Sequence, residues 1–212
     1  MSDTFTGVVR TYYDEKKTKL KEEYFQVNKK KEGVYKHYYN NGKLFNICNY
    51  VDGKKHGEEK YYDWSGEICL NMYMYKKGKL NGISEEYHKN GNLYSRCIYI
   101  NNKIEGVYET FHVNNQLLQV CKYINNKRQG LRKSYHLSGN MWSKCNYING
   151  KKEGIYEEFY DNGNLKRICT YFNNKRNGEY KKYYRNGNIN EIHNYICGKR
   201  ISYDYFEKYI CY

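Results

Sequence analysis

Proline is absent from all 212 residues, where an average protein carries about 5%. No position therefore relies on a fixed φ to steer the backbone. Long apolar runs are missing too: nothing approaches the ~18 consecutive residues of a membrane-spanning helix. The opening MSDTFTGVVR lacks the apolar stretch of a secretory leader. These absences predict an intracellular, cytoplasmic chain. There is no Cys-x-x-Cys, no His-Glu-x-x-His and no glycine-rich phosphate loop leading into a helix, so no catalytic residue, cofactor or metal is expected and the chain reads as a non-enzyme. What is abundant is charge and tyrosine. A net charge of +14 and a mean hydropathy of −1.08 would suit a disordered chain, but such chains are poor in aromatics and this one has 29 tyrosines.

The tyrosines are periodic. Glycines stand at Gly33, Gly57, Gly82, Gly106, Gly130, Gly154 and Gly178, spaced by 24 residues except for one interval of 25. An aromatic follows each glycine five residues on, from Tyr38 to Tyr183, and a second glycine follows nine residues on, replaced once by Asn115. Cys48, Cys97, Cys121, Cys145 and Cys169 recur in step, with His193 at the end, and two residues beyond these stand Tyr50, Tyr99, Tyr123, Tyr147, Tyr171 and Tyr195. Repetition at this period is the mark of a stacked array of small supersecondary units. The spacing gives seven repeats over 33–200, a degenerate copy or cap over 1–32 whose turn is two residues longer, and a C-terminal cap over 201–212.

Each unit holds two short aromatic and β-branched runs around a turn, such as Gly154–Tyr160 and Asn164–Phe172 around Asn162-Gly163. Asn-Gly between such runs predicts a two-residue type I′ hairpin. That register sets Tyr160 against Leu165, Tyr156 against Cys169 and Gly154 against Tyr171, and suggests that the glycine leaves room for the tyrosine ring across the strand. The interval of 25 predicts an extra β-bulge between Ile68 and Tyr75. The fold expected is all-β: a single elongated antiparallel sheet of about 14–16 strands, each hairpin advancing it by ~9.6 Å.

The run Gly154-Ile155-Tyr156-Glu157-Glu158-Phe159-Tyr160-Asp161-Asn162-Gly163-Asn164-Leu165, preceded by Tyr147-Ile148-Asn149-Gly150-Lys151-Lys152-Glu153, resembles the MORN repeat, in the variant found in bacterial antitoxin-like proteins. The resemblance covers essentially residues 7–200. It implies a β-hairpin array and interaction or phospholipid binding, with antitoxin activity as a further analogy. Family members that carry catalysis do so on an appended domain, and twelve residues beyond Arg200 are too few for one.

Equivalent cysteines in successive units would lie ~9.6 Å apart, beyond disulfide reach and too far to share one zinc. They read as packed free thiols, while Cys69, Cys197 and Cys211 fall off the series. His88, His112 and His136 share a position that is tyrosine in other units, such as Tyr39, Tyr160 and Tyr184, which predicts a packing role. Two candidate surfaces remain. Tyr50, Tyr99, Tyr123, Tyr147, Tyr171 and Tyr195 would form a protein-binding face, since tyrosine is enriched in interface hot spots, and that face or the terminal strands could also support self-association. Lys54, Lys79, Lys103, Lys127, Arg128, Lys151, Lys152, Lys175, Arg176 and Lys199, extended by Lys29 to Lys31, would form an anion-binding edge. An acidic membrane is the first alternative partner for that edge, and single-stranded nucleic acid the second.

Overall fold

The structure, a computed structural model, describes residues 5–202. Residues 203–212, with Cys211 and nearly all of the expected C-terminal cap, lie outside the described part. The described residues are all-β, in antiparallel strands linked as hairpins, as the repeat spacing predicts. They form two compact units, one reaching Ile104 and including Val113–Asn115, the other made of Glu105–His112 and the residues from Gln116 onward.

The first unit holds β1 (Gly7–Tyr12), β2 (Leu20–Val27), β3 (Lys30–Tyr38), β4 (Leu44–Val51), β5 (Lys54–Tyr62), β6 (Cys69–Lys76), β7 (Lys79–Tyr87), β8 (Leu93–Ile100) and β9 (Lys103–Ile104). The second holds β10 (Gly106–Phe111), β11 (Leu117–Ile124), β12 (Lys127–Tyr135), β13 (Met141–Ile148), β14 (Lys151–Phe159), β15 (Leu165–Phe172), β16 (Lys175–Tyr183), β17 (Ile189–Ile196) and β18 (Lys199–Ile201). Within each unit every strand pairs with the next in sequence. There are more strands than the two per repeat expected. Lys103–Phe111 is interrupted at Glu105 where Lys127–Tyr135 is continuous, and β18 adds a lone strand after the last hairpin.

The turns differ from expectation. Asn162-Gly163 does not form a two-residue turn: Tyr160 N donates to Asn164 O at 2.8 Å and Gly163 N to Tyr160 O at 3.0 Å, leaving a three-residue loop. Gly163 has φ 86° and Asn162 has no positive φ. A type I turn followed by one left-handed residue needs only one such position, and it is a common three-residue hairpin loop. Phe159, rather than Tyr160, then lies opposite Leu165, and one extra residue, Lys166, restores Glu158 to Arg167, Tyr156 to Cys169 and Gly154 to Tyr171. The two-residue turns with both φ positive occur at the opposite end of the strands, as in Asn149 (φ 50°) and Gly150 (φ 83°), between the paired Ile148 and Lys151.

The recurring glycine also has another role. Gly154 and Ile155 bulge out between the pairs Cys145 with Tyr156 and Asn146 with Glu153. Gly154 has φ 76°, and a Cβ there would meet no atom within 4 Å. The glycine is required for its left-handed backbone, not to make room for a ring. Nor does the interval of 25 create an additional bulge. Asp63 N bonds to Ile68 O at 2.9 Å and Tyr62 pairs with Cys69, so the added residue lengthens the turn, braced by Ser65 Oγ and Ile68 N on Asp63 Oδ1. Cys69 thereby takes the place that Leu165 holds elsewhere. The β1–β2 loop is two residues longer than the standard one, with Tyr12 paired to Leu20.

Strand alternation separates two faces. One carries the buried residues, among them Cys145, Tyr147, Tyr156, Cys169 and Tyr180 in the second unit. The other leaves Leu131, Ile155 and Phe172 exposed. Cys48, Cys97, Cys121, Cys145 and Cys169 are free and buried, and Cys197 is free and exposed in a two-residue turn. Burial pushes the Cys48 and Cys97 thiols up to about 11. Their thiolate fraction at neutral pH is thus about a hundredfold below that of an ordinary thiol. Alkylation of the folded protein is expected to label Cys197 first and the buried five only on unfolding, as read by mass spectrometry of digests.

Candidate functional site

The buried face is assembled from positions two residues apart: in β14, Lys152, Gly154, Tyr156 and Glu158; in β15, Arg167, Cys169 and Tyr171. Rings meet edge to face between strands, Tyr156 with Tyr171 at 5.9 Å and Tyr180 with Tyr195 at 6.1 Å. The sequence-predicted tyrosines lie on the corresponding face of each unit, Tyr50 and Tyr99 in the first and Tyr123, Tyr147, Tyr171 and Tyr195 in the second. Tyr147 is only 4% exposed and belongs to the packing beneath the surface, while the others are partly exposed. Further tyrosines share the face within each unit, Tyr24 and Tyr35 in the first and Tyr156 and Tyr180 in the second.

The predicted basic edge divides in two. Lys54, Lys79, Lys103, Lys127, Lys151, Lys175 and Lys199 are exposed where strands leave the two-residue turns. Their neighbours Arg128, Lys152 and Arg176 point to the tyrosine face and lie half-buried over its rings. Arg128 sits 5.5 Å from the Tyr147 ring centre and donates to Tyr123 Oη at 3.0 Å. Lys152 lies 4.9 and 4.8 Å from Tyr156 and Tyr171. Arg176 lies 4.9 and 5.2 Å from Tyr180 and Tyr195. Lys31 and Lys55 do the same in the first unit. Strand alternation explains this: of two consecutive basic residues only one can share the tyrosine face. The stems cover ring surface and the cations meet the electron-rich ring faces.

Two buried carboxylates have little signal in the sequence. Glu158 is 3% exposed and holds Lys166, Arg167 and the Tyr156 hydroxyl, which donates at 2.8 Å. Burial and the hydrogen bond to Glu158 push the Tyr156 phenol up to about 12. Glu59, 1% exposed, pairs with Lys55 and accepts from Tyr61 at 3.1 Å. A repeated signal that does appear in the sequence is the acid or amide just before the glycine. Glu153 accepts from Asn173 N at 2.9 Å and Gln129 from Asn149 N at 2.9 Å, anchoring the next two-residue turn. The shared tyrosine and histidine position is also a link between repeats: Tyr160 Oη donates to Tyr183 O at 2.8 Å, and His136 Nε2 lies 3.1 Å from Phe159 O. Among the described residues no group of three His, Cys, Asp or Glu is placed to hold a metal ion. No helix there is long and apolar enough to cross a membrane.

Tandem antiparallel hairpins with repeating ladders define a β-hairpin repeat protein. Residues 31–52, 80–101, 128–149, 152–173 and 176–196, just over half of the chain, match the MORN repeat variant. The chain belongs to that family, whose repeats commonly serve as interaction or membrane-binding modules. A comparison with curated proteins gives no match. Among solved structures it is similar to TarM at 18% identity, with a TM-score of 0.31 over 45% of this chain and 19% of that one. It is also similar to a point mutant of S. aureus TarM in complex with Fondaparinux, alpha-GlcNAc-glycerol and UDP, at 15% identity with a TM-score of 0.32 over 53% and 22%. The chain thus spans about a fifth of those chains, and at such scores the likeness supports no inference about fold or function.

Proposed function

We propose that this chain is a non-enzymatic scaffold that holds a protein partner on its tyrosine face. The observation that supports this reading is the row of partly exposed tyrosines carried at a fixed spacing on hydrogen-bonded strands. Such rings offer large contact area with little rotamer entropy to lose. Affinity purification from native cells, followed by the same capture with Tyr123, Tyr171 and Tyr195 replaced by alanine, tests it. The partner recovered with the original chain is expected to fall at least about tenfold, since each lost hot-spot tyrosine costs ~1–2 kcal/mol. Unchanged recovery by a variant that retains its circular dichroism spectrum would sink the proposal.

A second reading has its own support on the opposite face. Exposed Ile124, Ile148 and Phe172 pair directly with exposed Lys127, Lys151 and Lys175. Apolar side chains beside a cation row suit an acidic phospholipid surface, where each lysine contributes about 1 kcal/mol. Replacing these three lysines by glutamate is expected to abolish flotation with phosphatidylserine vesicles at low salt. Flotation unaffected by the reversal would rule out this face as a lipid site.

A further inference from the structure

The tyrosine face of the second unit carries an unbalanced charge. Its cations are Arg128, Arg132, Lys152, Arg167, Arg176, Lys182 and Arg200, against the carboxylates Glu158 and Glu191, an excess of five. Both carboxylates are already engaged, Glu158 by Lys166 and Arg167 and Glu191 by Lys182 and His193. Arg128, Lys152 and Arg176 have no carboxylate partner among the described residues, and their neighbours on the face are tyrosine rings and hydroxyls. Burial pushes the Lys152 ammonium down, the sign of a cation short of counter-charge. The corresponding face of the first unit is different: Lys31 and Lys55 share it with Glu22, Glu59 and Glu86.

These three cations occupy one position in successive repeats, two strands apart, and so recur at ~9.6 Å. A β-strand partner cannot follow them, because its side chains on one face recur at ~6.7 Å and every third residue points away. An α-helix returns to the same face after seven residues, ~10.5 Å, and would drift by ~2 Å over the three positions. A polyproline II segment has three residues per turn and a rise of ~3.1 Å, which brings the same side round every ~9.3 Å. Nucleic acid suits the face less well, since its bases would need ring faces that the cations already cover.

We propose that the tyrosine face of the second unit, along Arg128, Lys152 and Arg176, receives an acidic polypeptide in polyproline II conformation bearing a carboxylate at every third residue. This rests on the scaffold reading and names the partner's chemistry. The test is fluorescence anisotropy of the full chain with a peptide of five Glu-Pro-Pro triplets. Two other ligands are run beside it: a peptide of identical composition with its glutamates in one block, and an oligothymidylate. The triplet peptide is expected to bind at least about tenfold more tightly than the block peptide, the difference carried by charge-assisted hydrogen bonds in phase. It should lose about tenfold with Arg128→Gln, Lys152→Gln and Arg176→Gln combined, and keep its affinity with Lys127→Gln, Lys151→Gln and Lys175→Gln combined. Equal binding of both peptides, still sensitive to the first triple variant, overturns the three-residue spacing but leaves the scaffold reading standing. Tighter binding of the oligothymidylate, or no binding of either peptide, overturns the proposal, and the tyrosine capture experiment then decides the scaffold reading separately.

Discussion

Replacing Glu158 by leucine is expected to destabilise the second unit by about 3 kcal/mol, near the low end for breaking a buried ion pair because the partner cations are partly solvated. The carboxylate is 4% exposed while Lys166 and Arg167 are 40% and 35% exposed. Leucine fills similar space but leaves Arg167 without its carboxylate and the Tyr156 hydroxyl without its acceptor. Urea denaturation followed by tyrosine fluorescence gives the value, and a loss below about 1 kcal/mol would mean that solvent takes over the carboxylate's role. The pair also has a pH signature. Burial alone would raise the Glu158 carboxyl, but hydrogen bonds from Lys166 and Tyr156, with the charges of Arg167 and Lys166, outweigh it and hold the group below the usual carboxylate range. In the unfolded chain a glutamate titrates at about 4.3. The stabilisation is therefore complete above that pH and is lost as the pH falls through the lower folded value. Glu158→Gln should remove this part of the acid limb while keeping most of the packing.

Gly154→Ala is expected to cost about 1–2 kcal/mol, the penalty for a Cβ in left-handed backbone. Because a Cβ at Gly154 touches nothing within 4 Å, the cost comes from the backbone and not from crowding. Gly154→Ser should then cost about as much as Gly154→Ala, while Gly154→Asn should cost less, since asparagine tolerates this region. Equilibrium unfolding of the three variants separates the two explanations: a penalty that rises with side-chain volume would restore the steric one.

The glycine shows how far the sequence alone could go. Its 24-residue recurrence marks the repeat and places Gly154 opposite Tyr171, but spacing does not reveal φ, and the two bulges per repeat are invisible in it. The turns escape sequence reading for the same reason. Asn162-Gly163 and Asn149-Gly150 are the same dipeptide, yet the first closes a three-residue loop and the second a two-residue turn. Only the compensating Lys166 bulge keeps Tyr156 level with Cys169 despite the different turn. For the candidate site, the tyrosine and lysine rows are legible as periodic positions. The division of Lys151 and Lys152 between opposite faces follows from alternation once the strand is placed. The buried Glu158 is not legible, because its position is filled by His37, Tyr61, Ser134 or Lys182 in other repeats.

The bonds that reach from one repeat into the next fix how such a protein can change length. Tyr160 to Tyr183, Asn164 to Arg185 and Glu153 to Asn173 span 23, 21 and 20 residues, so each donor and its acceptor belong to adjacent copies. Duplication or loss of a whole copy within a unit leaves every such bond with an equivalent partner. A gene encoding this chain can therefore grow or shrink by recombination in steps of one copy, with the number of tyrosines in each row following the copy number.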